Sequence, residues 1–487
     1  MIAPMFNRLR QVLIAGGVLG LASACASMPD GDSRLPQCSS LIDRVDQRIA
    51  EKEVGDAEAE PVDGFPHLRI NRFLASFRSE LGDATAFDEW VRRLRALDRE
   101  TRIVELQNLG AANIIAMVDA CAEMLLARDA KDAAFQSRLL KAAHPPHHYN
   151  DWVRAAGLYP LTHIGVALGF DRWKADNLPA FGEDPSTWRA SETRYALPAS
   201  SDLPVSDVGT FIDLSAQNPL GIPDIAGLVL RRMAEAYAPV FAVEETSSAD
   251  KLGRPNLGGD GATPHTDPND PVVYLRLTHT RMDGEVLPQL VYTVWFPERP
   301  KEDTFDILGG ALDGLVWRVT LDHEGRPLVY DSFHSCGCYH LFFPTDLVQR
   351  VPVSEDDDLR EEPLTPMQAP RLQEGERLVV HVASGSHYLR GLSTTPSLED
   401  AKALRAVDEH AAPEFGLRSL ETDETTRRSL FSPDGIVAGT ERTERFILWP
   451  MGISSPGAMR QWGTHATAFV GTRHADDPYL LDEAFKR

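Results

Sequence analysis

The sequence predicts an α+β fold, with a helical N-terminal bundle followed by a larger, mainly antiparallel β domain, a sandwich or barrel carrying a helical insertion. Three observations predict it. Up to about residue 176 the apolar residues recur at helical spacing, as in Phe87, Trp90, Val91, Leu94 and Leu97. Beyond about residue 240 they alternate along short runs separated by tight-turn pairs such as Asp283-Gly284. The 487 residues also exceed what one core usually organises, so the change of period marks a domain boundary.

Arg8 and Arg10 precede the apolar run Val12 to Leu21, which is too short to span a bilayer, so residues 1–25 read as a signal peptide. The small residues Ala22-Ser-Ala24 followed by Cys25 resemble the lipobox of bacterial lipoproteins, with Ala22 where that family usually has Leu. The resemblance covers these residues alone. It implies that Cys25 is acylated and holds the body in the periplasm. Ala26 and Ser27 lack the Asp that often retains such proteins in the inner membrane, which implies the outer membrane. Cleavage after Ala24 at an A-x-A-like site, giving a soluble exported protein, is the other reading of the same residues.

Residues 26–37 form a short polar tether, and 38–176 a helical domain. Leu41, Val45 and Ile49 mark its first helix. The most apolar helix, through Ile114, Val118 and Leu125, places Cys121 inside. Cys38 and Cys121 both fall in this block, and in an oxidising compartment a disulfide between them is the first expectation. Glu51 to Glu60 reads as an acidic loop, His144-Pro-Pro-His-His148 as an exposed interhelical turn, and His163 as a packing residue.

Residues 177–240 read as a long connection with a helix through Leu228, Met233 and Tyr237, and 241–487 as the β domain. Strands are expected at 272–278, 290–296, 315–321, 328–344, 377–383 and 445–449. A helix near Leu398 to His410 would be the insertion, and Glu355 to Asp358 a solvated loop. The net charge of −23 and the lack of a basic stripe argue against nucleic-acid binding and against electrostatic docking on an anionic membrane.

The chemistry concentrates in Leu328 to Pro344, which puts His334, Cys336, Cys338 and His340 at alternate positions and so on one face of an unbroken strand. Neighbouring donors would lie about 7 Å apart, near enough to share an ion, but the whole run would span about 20 Å. One site therefore needs a bulge at Gly337 or further donors such as His381 and His387. Mixed sulfur and nitrogen ligation favours zinc. A zinc-activated water, with Asp331 or Asp267 as base, would attack an envelope substrate.

Two resemblances offer other chemistry. His265-Thr-Asp267 with His381 or His387 resembles the facial triad of non-haem iron oxygenases. Ser335-Cys-Gly-Cys-Tyr-His340 resembles the Ser-His-Gly-Cys-x-Arg signature of L,D-transpeptidases, which implies Cys338 as nucleophile. Cys336 then replaces the signature His, and His340 its Arg. A third reading joins Cys336 and Cys338 as a structural or exchangeable disulfide in a lipoprotein that only binds a partner. His465 and His474 would join a site if the C-terminal segment folds back on the sheet.

Overall fold

A computed structural model describes residues 31–188, 191–198, 203–258, 263–352, 361–409, 416–422 and 426–487. Cys25 and the expected signal peptide, the Glu355 to Asp358 run and His410 lie outside the described residues. The fold is α+β, with an N-terminal helical region followed by a larger sheet-rich one.

The helical region packs Gly31–Glu51, Ala84–Asn108, Ile115–Asp129 and Phe135–Ala142 together. Its first helix begins at Gly31, inside the expected tether, because Cys38 and Ile42 bury against Ala122 and Leu125 of Ile115–Asp129. Cys38 and Cys121 are disulfide-bonded across the same two helices, with Cα atoms 4.9 Å apart. Asp83 opens helix Ala84–Asn108 by accepting from the backbone N–H groups of Thr85 and Ala86, which would otherwise lack partners. The acidic loop expected up to Glu60 runs into a hairpin, Glu60–Val62 with Phe65–Ile70. Phe65, Leu68 and Ile70 of this hairpin join Phe87 and Trp90 in one core, so burial overrides the local polarity.

The β region holds two main sheets. One runs in the order Leu341–Pro344, Pro327–His334, Gly310–Leu321, Glu285–Arg299, Val272–Met282, Arg405–Asp408, antiparallel except for its last join. The other is mixed, in the order Leu389–Thr395, Arg377–Val382, Val240–Glu244, Glu192–Ala196, Lys402–Ala403. Neither closes into a barrel. They share a core in which Phe241, Val243 and Val380 meet Leu290, Tyr292 and Trp317.

Three expectations change. Glu192–Ala196 draws the predicted connection 177–240 into a sheet. The predicted insertion helix is two short strands, Lys402–Ala403 and Arg405–Asp408, because each finds a parallel neighbour. The predicted strand at 445–449 is the short helix Arg445–Leu448 leading into a further helical turn, with Phe446 and Ile447 facing solvent instead of a neighbouring strand. The C-terminal segment does fold back on the sheet. Arg318 donates to the Ala475 carbonyl (2.6 Å), and Ala475 packs on Phe333.

Charged pairs stitch the helical region to the rest. Arg418 holds Asp56 (2.8 Å) and Arg276 reaches both Glu58 and Glu409, while Arg69 holds Glu105 (2.9 Å) inside the helical region. All are buried, so each loses its partner's compensation if one member is removed.

Candidate active site

Strand Pro327–His334 ends at the first of the four expected donors, so they do not line one face of a strand. Residues 335–340 form the loop into Leu341–Pro344, and the His334 N–H donates to the Cys338 carbonyl (3.0 Å). Gly337 has φ +92°, and a Cβ there would lie 2.4 Å from the Ala466 carbonyl oxygen, so no other residue fits without movement. The Ser335 N–H donates to the Gly314 carbonyl (2.7 Å), which pins the loop to strand Gly310–Leu321 beside Asp313.

Asp313 is the centre of the site. His387 donates its Nδ1–H to Oδ2 (2.8 Å), and His334 Nδ1 lies 3.4 Å from Oδ1. On the far side of His387, Nε2 is 3.6 Å from Asp250 Oδ1, a charge contact longer than a hydrogen bond. Asp250 in turn accepts the backbone N–H groups of Gly385 (2.7 Å), Ser247 (2.8 Å) and Thr246 (3.0 Å). The result is a buried line, Asp250, His387, Asp313, His334, whose last nitrogen, His334 Nε2, has no hydrogen-bond partner among the described residues.

Electrostatics support this order. Burial opposes the charge of Asp313, but His334 and His387 outweigh it and hold the carboxyl well below its ordinary value. Burial likewise works against protonated His387, and the flanking carboxylates of Asp250 and Asp313 reverse that and raise it. Asp250 is lowered, since the nearby His387 imidazole and the backbone donors outweigh desolvation. Asp313 therefore stays ionised beside His334.

Of the seven non-glycine residues with positive φ among those described, three border this line: Leu312 (48°), Tyr339 (58°) and His387 (54°). Such backbone costs about 1–3 kcal/mol per residue and persists only where surroundings enforce it. At Leu312 the enforcement is visible, because the buried Arg442 guanidinium donates to the carbonyls of Ala311 and Leu312.

Aromatic rings and two further charges complete the site. His334 packs against Tyr339 and Tyr388, whose rings meet at 4.4 Å, and Trp173 of helix Tyr159–Asn177 covers both. Arg299 donates to the Tyr388 hydroxyl (3.0 Å). Glu444 is buried, and desolvation lifts its carboxyl to about 7 despite Arg299 and Arg442. Both Glu444 and Arg299 act electrostatically on Tyr339, which places them around the same rings.

The residues expected to bind zinc separate into different pairings. His334 and His387 share Asp313. His340 donates Nε2–H to Asp331 (2.9 Å), which Arg318 also clamps, and burial lowers His340 to about 4. His381 lies in the other sheet between Glu192 (2.9 Å) and Ser393 (2.7 Å). Among the described residues, no group of three or more His, Cys, Asp or Glu is placed to hold one ion. Asp331, expected as a base, is held below its ordinary value, as Arg318 and His340 overcome its burial.

Cys336 and Cys338 are free thiols side by side, the Cys338 N–H lying 3.4 Å from Cys336 Sγ. The neighbouring Cys336 thiol and burial push Cys338 well above its ordinary value, the reverse of what a transpeptidase nucleophile needs. His265 is exposed on the strand His265–Asp267, so it does not join buried His381 or His387 in a triad. His465 packs on Phe333, and burial holds it near 3, while His474 packs against His148 and Tyr149. In the Pro-Pro turn, His144 and His147 are exposed as expected, whereas His148 meets Arg72 (2.7 Å).

Asp313, Asp250, Arg299 and Glu444 escaped the sequence reading. Asp313-Gly314 has the form of a turn, yet it lies inside a strand, and Gly314 is there because Ser335 crowds it. Compared with protein families, curated proteins and solved structures, the chain matches none.

Proposed function

We propose that this protein is an enzyme of the bacterial envelope, tethered by an acylated Cys25, that uses His334 as a general base to hydrolyse an acyl substrate. The observation that carries the reading is the buried, unpartnered Nε2 of His334 opposite an Nδ1 that faces an enforced Asp313 anion. This is the arrangement by which a carboxylate orients an imidazole and balances the charge it gains. His334 takes a proton from water as the water oxygen bonds to the acyl carbon. The leaving group departs with a proton from Glu444, whose carboxyl near 7 makes it both donor and acceptor at neutral pH. Arg299 and the Tyr388 hydroxyl supply positive potential for the oxygen that becomes negative.

Release of p-nitrophenol from short- and long-chain p-nitrophenyl esters tests the reading. His334→Gln should lower turnover about a hundredfold or more while the thermal midpoint holds. Equal turnover in His334→Gln, or none in the unaltered protein, would sink it. Mass spectrometry of the mature N-terminal peptide tests the tether, and an unmodified Cys25 would refute it.

A further inference from the structure

Helix Tyr159–Asn177 is built inside out for a water-soluble surface. No Asp, Glu, Lys or Arg occurs from Gly157 to Phe170, and none of the helix's side chains is buried. Its outward stripe is Leu161, Ile164, Gly165 and Leu168, at i, i+3, i+4 and i+7, with the three large side chains 67%, 53% and 65% exposed. An ordinary surface helix turns that stripe inward.

Neighbouring elements extend the surface. Helix Asp151–Ala156 exposes Trp152 to 86%, and Leu158, with positive φ, joins it to the longer helix. The turn Trp449–Met451 packs against both helices, and a Cβ on Gly157 would meet the Pro450 Cβ at 2.6 Å, so the pair is held close. Phe446, Ile447 and Trp449 beside it are also exposed. Large exposed apolar patches of this kind mark interaction sites.

We propose that this outward face seats in the headgroup and upper acyl layer of the membrane to which the chain is tethered. The length of chain ahead of the structure favours a bilayer as the occupant. Cys25 stands six residues before Gly31, a reach of about 20 Å at most, so acylation at Cys25 would hold the body against the membrane. The far end of helix Gly31–Glu51, from Asp46, lines the same groove as Trp152. No described helix is long and apolar enough to cross a membrane, and the charges resume at Asp171. Trp152 and Trp449 suit the headgroup level. The net charge of −23 offers anionic headgroups no attraction, so apolar burial has to drive the contact.

The inference rests on the tethered reading for its geometry, and its test avoids that dependence. The chain from Ala26 onward, which lacks both Cys25 and the apolar run Val12 to Leu21 and cannot be acylated, is floated with phosphatidylcholine vesicles. It should rise with them in low and high salt, and Leu161→Ser/Ile164→Ser/Leu168→Ser in the same chain should reduce the bound fraction about tenfold or more. Trp152 fluorescence should be quenched by lipids brominated near the headgroup. A chain that stays at the bottom of the gradient, or a triple variant that floats as well as its parent, would overturn the proposal. So would light scattering that shows a dimer dissociated by the triple substitution without vesicle binding, since the face would then be covered by a second copy. Acylation of Cys25 and ester turnover are measured separately, so failure of either leaves this result readable.

Discussion

At Asp313 one carboxylate serves two imidazoles, and its substitution separates their roles. Protonated His387 stabilises the fold, because its folded value is raised. That contribution is complete below about pH 6.5 and is lost as the pH rises through the raised value. Asp313→Asn removes one of the two raising carboxylates, so the His387 imidazole should titrate at lower pH in NMR spectra, and the loss of stability on the alkaline side should begin earlier. Glu444 has the opposite sign for a carboxyl. Its folded value of about 7 lies above the ordinary 4.5, so burying it costs stability that grows as the pH rises between those values. Glu444→Gln should leave urea stability unchanged near about pH 4 and raise it by on the order of 3 kcal/mol near about pH 8. Cys338, pushed up by Cys336 and burial, should react with a disulfide reagent far more slowly in the folded than in the urea-unfolded protein.

The loop between Pro327–His334 and Leu341–Pro344 shows what an element needs beyond its own composition. The aromatic, β-favouring residues of Leu328 to Pro344 were legible as strand, and two strands are there. The interruption was not legible, since it comes from Gly337 meeting the Ala466 carbonyl, more than a hundred residues away. Gly337→Ala combines a positive φ with that clash and should lower the thermal midpoint by several degrees, an effect of about 2 kcal/mol or more, with loss of turnover. The disulfide is the converse case. Helical spacing put both cysteines in one helical block, and Cys38 and Cys121 are bonded across its helices. Reduction closes off a constraint on a long loop, so Cys38→Ser/Cys121→Ser should lose about 2–5 kcal/mol in a denaturant titration.

Across the whole molecule the buried ion pairs make the helical region and the sheets interdependent. Arg418 bridges from the C-terminal half to Asp56, where the guanidinium outweighs burial and lowers the carboxyl. Arg418→Met leaves Asp56 and Glu58 short of a cation. It should cost about 3–5 kcal/mol and shift the unfolding of both regions together, as read by far-UV and tryptophan signals. Separate transitions would show that the regions are independent.

The sequence by itself determined what depends on neighbours along the chain: the two hydrophobic periods and hence the α+β class, and the pairing of Cys38 with Cys121. Only the tertiary structure decided the site. It brings Asp250, Asp313, His334 and His387 together from four segments, and it turns the expected donors His340 and His381 toward Asp331 and Glu192 instead. The physical reason is that a buried imidazole takes whichever carboxylate the packing sets beside it, and spacing along the chain does not encode which one that is.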